Sequence, residues 1–305
     1  MGRDSNYIEI TSISELHQLG KYPGPKHPLI SVIEDHALFF RNFPKDGKTY
    51  SSPFYVISCK QVVGSFKYGR GNYDFTSGTL LFTAPGQLMT SDADFIVEEG
   101  WMLLIHPDML HGSNLGRQIH NYTFFNYEVN EALHLSEDEH LLIKSSIANI
   151  KMECQAGVDK LTQSILVSSI ELILHYCERF YQRQFLTRSK VNTDIVMRFE
   201  RLLKAYFGDD KEILSGLPDV GYFADKLNIS SNYLSDLLQK YTKKSTIEHI
   251  HMHLIDKAKS LLMEENLSIS QIAYGIGFEH ASQFTRLFKK RTGLTPTQYR
   301  HLDLN

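Results

Sequence analysis

Two sets of side chains in the last third of the chain have the types and spacing needed to read base-pair edges. Asn232, Ser235, Asp236 and Gln239 form the first; Ser282, Thr285, Arg286 and Lys289 form the second, each 50 residues after its counterpart, with Gln283 beside them. A guanidinium pairs with guanine O6 and N7, an amide with adenine, and a carboxylate accepts from cytosine N4. At about 100° per residue each set lies on one helix face. Opposite lies an apolar stripe: Leu234, Leu237, Leu238 and Tyr241 in the first copy, Phe284, Leu287 and Phe288 in the second. Lys240, Lys243, Lys244, Lys289 and Lys290 flank these faces, where ammonium groups would contact phosphates. One amphipathic helix with a polar outer face is commonplace; two at matched spacing are not.

The elements that must position these faces repeat as well. Ala224 and Ala273 are 49 residues apart, as are Asn228 and Gly277. The small residue lets a second helix cross closely, and Asn or Gly tolerates the left-handed backbone of a tight turn, which together write a helix-turn-helix. The motifs are expected over 220–241 and 268–291. Gly275 has no counterpart, since position 226 is Lys, and close packing is the reading left for it. Between the copies, 246–263 reads as one helix through Ile250, Leu254, Ala258 and Leu262, about 27 Å long. Such a strut would hold two recognition helices about one DNA turn, ~34 Å, apart.

The chain's 305 residues predict two domains. From about Leu29 to Val129 short runs rich in Val, Ile, Phe and Tyr (FYVIS, TLLFTAP, DFIVEEGWMLLIH, NYTFFNYEV) alternate with GRGNY, TSG, PGQ and HGSNLG turns, the signature of an all-β barrel or sandwich. Ser136 and Glu139 form a capping box that opens a helical pattern through Leu142, Ile143, Ile147 and Ile150. A longer pattern over 158–185 carries Leu161, Ile165, Leu172, Tyr176 and Phe180. Either stripe could cover the β domain or form a dimer seam. The polar stretch at 182–194 is the linker candidate.

Other candidate chemistry is thin. His249, His251 and His253 fall on the strut, where only His249 and His253 share a face, too few for a metal site. The β region has no H-x-H; His27, His36, His106, His111, His120 and His134 are scattered, so no metal is expected. Gly47-Lys48-Thr49 imitates a phosphate loop, but position 42 is Asn, and a turn is the reading. No spacing argues for a catalytic group or cofactor. Cys59, Cys154 and Cys177 have no paired spacing, which fits a reducing compartment. The absence of an apolar leader or spanning run fits a soluble, cytoplasmic protein with no membrane partner. Net charge is -3, but from Val191 onward 15 Lys/Arg face 14 Asp/Glu, and 281–300 holds Arg286, Lys289, Lys290, Arg291 and Arg300 with no acid.

SISQIAYGIGFEHASQFTRLFKKRTGLTPTQYR resembles the second helix-turn-helix signature of the AraC/XylS transcriptional regulators, through Gly293, Thr295, Pro296, Tyr299 and Arg300; FADKLNISSNYLSDLLQKYTKKS resembles the first. The resemblance covers 195–302. It implies an α+β multidomain protein: a C-terminal all-α domain with two helix-turn-helix motifs joined by a central helix, and an N-terminal cupin-like β-barrel with two dimerisation helices. The expected boundaries are 1–135 for the sensor barrel, 136–186 for the helical segment, 187–195 for the linker and 196–303 for the DNA-binding domain. The implied partners are double-stranded DNA, a second copy of the chain, a small-molecule effector and RNA polymerase. The base-facing residues are then Asn232, Ser235, Asp236, Gln239, Ser282, Gln283, Thr285 and Arg286. Departures from the family are Gln283, where an aromatic residue is common, and Asp236 at the position of Arg286, an acid that repels phosphate. The alternatives are a ligand-free N-terminal domain controlled by a protein partner and a metal-dependent cupin enzyme fused to a regulator.

Overall fold

The computed structural model describes residues 7–61, 78–90, 99–128, 131–208, 216–263 and 267–302. The chain divides into two compact units, Met1–Arg188 and Ser189–Asn305.

In the first unit the strands β4 (Tyr55–Gln61) and β7 (Glu99–Ile105) bury successive residues, 56–59 and 101–105, as strands covered on both faces do. They pair antiparallel with Ile57 opposite Leu103 and Cys59 opposite Trp101. Outside them lie β2 (Ile30–Ile33) on one side, and β5 (Thr79–Thr83) then β8 (Leu133–His134) on the other, giving the order β2-β7-β4-β5-β8. A smaller sheet has the order β1-β3-β6, from Tyr7–Glu9, Thr49–Ser51 and Met89–Thr90. Ser12 and Asp35 cap the helices α1 (Ile13–Leu19) and α2 (His36–Asn42). These helices bring Ile13, Leu16 and Phe39 into one core with Tyr50, Val56, Met102 and Leu104.

The sequence predicts a closed barrel; the described strands show the sheets but not the closure. Among the described residues they lie in two sheets, with no strand pairing that closes one onto the other. At one end of the larger sheet a helix covers the outer edge of β8, the strand paired with β5. The two residues of β8 pair with β5, and then Gln184 takes over: its Oε1 accepts from the His134 N–H at 2.8 Å, and its Nε2 donates to the Ala132 carbonyl. A helix thus stops the sheet where another strand would extend it.

The aromatic run at 121–128 is not a strand either. Thr123–Asn126 is a 3-10 turn, and Phe124 and Phe125 pack on Phe82 and Tyr55. Aromatic richness marks a site that packs on a sheet as readily as a site within one. The GRGNY turn and the first part of the run at 94–106 lie outside the described residues.

A short helix, α3 (Asn114–Gln118), follows β7. Next comes α4 (Glu137–Gln155), whose capping box has both reciprocal bonds, Ser136 with Glu139. It buries Ile143, Ile147 and Ile150, and the longer α5 (Thr162–Thr187) buries Leu166, Ile170, Ile173, Leu174 and Phe180. Arg183 ties the helices together with a 2.7 Å ion pair to Glu139. The sequence left open whether these helices cover the sheet or face a partner, and the stripes divide: Leu161, Ile165 and Leu172 are exposed while Phe180 is buried.

The second unit starts directly. Instead of a linker over 187–195, only Arg188 interrupts two helices, α5 and α6 (Ser189–Gly208). Although polar, the stretch places Asn192 1% exposed, with Oδ1 accepting from the Tyr233 hydroxyl at 3.4 Å. The following helices are α7 (Val220–Leu227), α8 (Ser231–Thr242), α9 (Thr246–Leu262), α10 (Ile269–Gly275), α11 (Ala281–Thr292) and α12 (Pro296–Leu302). Phe199, Phe223, Leu234, Leu254, Ile272, Phe284 and Phe288 belong to one continuous core.

Candidate nucleic-acid interface

The two helix-turn-helix motifs agree bond for bond. In the first, Ile229 N–H donates to Ala224 at 3.1 Å; in the second, Phe278 N–H donates to Ala273 at 3.0 Å. Asn228 at φ 56° and Gly277 at φ 93° supply the left-handed turn. Ala224 and Ala273 are buried, so there is no room for larger side chains where the helices cross. At the far end of each recognition helix a threonine closes the last turn: Thr242 donates to the Leu238 carbonyl at 2.7 Å and Thr292 to that of Phe288 at 2.8 Å. Each chain then passes a left-handed residue, Lys243 or Gly293, into a Ser/Thr cap with a Glu or Gln three residues on: Ser245 with Glu248, Thr295 with Gln298.

The helix α9 therefore serves twice, closing the first motif and supporting the second. Its 17 residues span about 25 Å. Buried Ile250, Leu254, Ile255, Ala258 and Leu262 fix it in the core. Lys257 donates to the Phe207 carbonyl at the end of α6 at 2.6 Å. Arg300 donates to the carbonyls of Leu262 at 3.3 Å and Leu267 at 2.7 Å. Counted in the sequence among the concentrated positive charges, Arg300 is spent on closing the C-terminus of the strut.

On the outer face of α8, Gln239 is exposed, and Asn232 and Asp236 are half-buried. Ser235 turns toward the strut, its Oγ 3.2 Å from that of Thr246. On α11, Ser282, Gln283, Arg286, Lys289 and Lys290 are exposed. Thr285 is half-buried and donates back to the Ala281 carbonyl at 2.9 Å. Both hydroxyls are thus engaged within the protein, a feature that helical position alone does not reveal. Lys243 and Lys244 are exposed at the end of α8, and Lys240 is half-buried.

The helices start differently. Ser230 caps α8 by accepting from Tyr233 N–H at 3.1 Å, whereas His280 gives α11 no side-chain cap. Tyr233 is buried on Asn192, and its counterpart Gln283 is exposed. Gly275 is exposed, with nothing within 4 Å of a Cβ built there, so the close-packing reading fails.

The strut histidines have separate partners. His249 Nε2 lies 2.8 Å from Thr242 Oγ1, His253 stacks on Phe207, and His251 Nδ1 accepts from Arg291 at 3.3 Å. Burial lowers the pKa of each ring, with Arg291 and Lys290 adding to the effect at His251. In the first unit His36 is fully buried with neither ring nitrogen bonded, and burial next to Lys60 pushes it down to about 3. His134 lies 3.3 Å from Thr79 Oγ1 and is pushed down to about 4 by burial, then by Arg188 and Arg183. Among the described residues no three ligating side chains converge.

A helix-turn-helix domain family matches residues 223–301. The C-terminal unit carries a helix-turn-helix domain. The chain is 36% identical over 77 residues to the uncharacterised HTH-type transcriptional regulator YijO of Escherichia coli, a match covering 25% of this chain and 27% of that protein. It is 32% identical over 143 residues to the uncharacterised HTH-type regulator YfiF of Bacillus subtilis, covering 47% of this chain and 42% of the relative. Among solved structures it is similar to the C-terminal domain of the response regulator yesN from Fusobacterium nucleatum, at 27% identity and TM-score 0.31, covering 35% of this chain and 98% of that one. The chain thus spans less than half the length of these two curated relatives. The matched span begins at Phe223, in the first motif's leading helix, and ends at His301 in α12.

Proposed function

We propose that the protein is a sequence-specific, DNA-binding transcription regulator of the AraC/XylS kind, in which α8 and α11 enter successive major-groove segments. The observation that carries this reading is the doubled motif on a shared strut. Two helices with the same turn, the same threonine-closed last turn and a matching buried stripe present polar faces from one rigid core, the arrangement for two adjacent groove contacts. Asn232, Asp236, Gln239, Ser282, Gln283 and Arg286 are the base readers; Ser235 and Thr285 act through the backbone and the strut. Lys240, Lys243, Lys244, Lys289 and Lys290 hold phosphates. The test is selection of binding sites from random duplexes followed by footprinting. Each chain should protect two segments about one helical turn apart; recovery of no sequence preference would sink the proposal.

The N-terminal unit is read as the sensor and the self-association surface. The exposed apolar residues Leu161, Ile165 and Leu172 line one side of α5, and Leu141 and Met152 are exposed on α4. A second copy of the chain would bury them. Leu161→Glu with Leu172→Glu should convert a sedimenting dimer to a monomer that still folds; an unchanged sedimentation coefficient would move the seam elsewhere. RNA polymerase contact and a cytoplasmic site of action follow from the regulatory role.

A further inference from the structure

A cavity of about 300 Å³ opens where β4 begins, between Tyr55 and the loop after β7. Its volume lies at the lower end of the range for small-molecule sites. Buried Leu110 and Ile119 give it an apolar floor next to the Tyr55 ring, and Phe125 holds that ring edge-on with centroids 4.9 Å apart. The rim is polar, with His111, Ser113 and Arg117. Among the described residues no acidic side chain lines it, and Arg117 is the one permanent charge. The guanidinium is oriented by a 2.8 Å bond from Nη2 to Asn114 Oδ1. The wall is fixed at Gly116, where a Cβ would stand 2.3 Å from the Leu110 carbonyl oxygen.

A site with one oriented guanidinium at its mouth and hydrocarbon at its base suits a ligand with one anionic end. We propose that this cavity binds a small organic carboxylate, its charged end on Arg117 and its hydrocarbon body on Leu110, Ile119 and Tyr55. The inference rests on the effector-responsive reading above and gives that effector a place and a class. It also supplies a route outward. Gln163, in the first turn of α5, donates from Nε2 to the carbonyls of Met109 at 3.0 Å and His111 at 3.3 Å. A ligand that shifts the cavity loop therefore pulls on the turn of α5 that carries exposed Ile165, and so acts on self-association.

The full chain is titrated calorimetrically with hexanoate and with the neutral hexanamide, and melted in the presence of each. Hexanoate should bind at millimolar concentration and raise the melting temperature, and hexanamide should bind roughly tenfold more weakly or worse. Arg117 is exposed, so Arg117→Gln should keep the ligand-free melting temperature and lose the discrimination. Gln163→Ala should keep hexanoate binding and lose its effect on sedimentation. Equal binding of acid and amide, undiminished binding in Arg117→Gln, or no binding of hexanoate would each overturn the site. Footprinting of the same preparation on a selected duplex judges the DNA-binding reading separately.

Discussion

The two helix-turn-helix motifs share a backbone and differ in charge, the first recognition helix being balanced and the second strongly basic. On α8 the charged groups are Asp236 and Lys240; on α11 they are Arg286, Lys289, Lys290 and Arg291, with no acid. At most positions where the backbone imposes a requirement the pairs match in type: Ala224 with Ala273, Asn228 with Gly277, Thr242 with Thr292, Ser245 with Thr295; the left-handed Lys243 and Gly293 are the exception. Where a side chain points outward they diverge, as in Asp236 with Arg286 and Gln239 with Lys289. The shared positions make the fold; the divergent ones divide the labour. On this reading α11 holds the duplex, and α8, with little charge to bind DNA indiscriminately, depends on the fit of its amides and carboxylate to the bases.

The largest expected effect breaks the likeness of the two turns. Gly277 sits at φ 93°, a conformation that a β-branched residue adopts only under strain. Gly277→Val should cost about 3 kcal/mol of stability, read as a lower urea midpoint for the second unit. Asn228 at φ 56° already bears a side chain there, so Asn228→Gly should change stability by less than about 1 kcal/mol. Equal losses at the two sites would mean that the turns are not equivalent in what they demand.

Next come the paired positions 236 and 286. Arg286→Ala should weaken binding to a selected site by about 1 to 3 kcal/mol if the guanidinium reads a guanine. Asp236→Ala should leave affinity for random duplex unchanged or higher, because it removes a negative charge facing phosphates, and should relax preference at one base pair. Competition titrations against selected and random DNA separate the two. A loss of random-duplex affinity in Asp236→Ala would reverse the assigned division of labour.

The lysines sharpen it further. Replacing Lys289 and Lys290 together by Gln should flatten the slope of log K against log salt by about 1.8, each phosphate contact contributing about 0.9. Replacing Lys243 and Lys244 tests whether the cations of the first motif, placed after the helix and not on its outer face, reach phosphates as well. A slope that falls only for the first pair would place the electrostatic anchor on α11 alone.

Much of this second unit was legible because it is a repeat. Offsets of 49 and 50 residues align caps, turns and stripes, so that each copy checks the other. What the offset could not show is where a polar side chain finds a neighbour from a different element. Ser235 looks outward by helical count and Arg300 belongs to the run of positive charge, yet Ser235 meets Thr246 and Arg300 closes α9. The first unit offered no second copy. Its strands β4, β5 and β7 stand where apolar runs fall between turn residues, but the aromatic run at 121–128 coils against Phe82 and Tyr181. The outer edge of β8 is covered by Gln184, 50 residues beyond the strand it caps, a distance at which local pattern is silent.

The smallest effect concerns acid. His251 lies between the strut and α11, accepting from Arg291 through Nδ1, which requires the neutral ring. Its pKa is lowered by burial and then by Arg291 and Lys290, while Glu248 opposes them. For a base with a depressed folded pKa, the unfolded chain binds the proton first. The contribution of His251 to stability is therefore full above its unfolded value of about 6.5 and is lost as pH falls through the folded value. His249 and His253 carry shifts of the same sign, so His251→Gln should remove only part of the acid sensitivity. The protein should lose stability from pH 7 toward pH 5, and the variant should lose less, measured by urea unfolding across that range. If protonation also frees Arg291, salt-dependent DNA affinity should rise slightly in the same window. A variant whose unfolding profile parallels the parent's would show that the Arg291 contact does not control the charge state of His251.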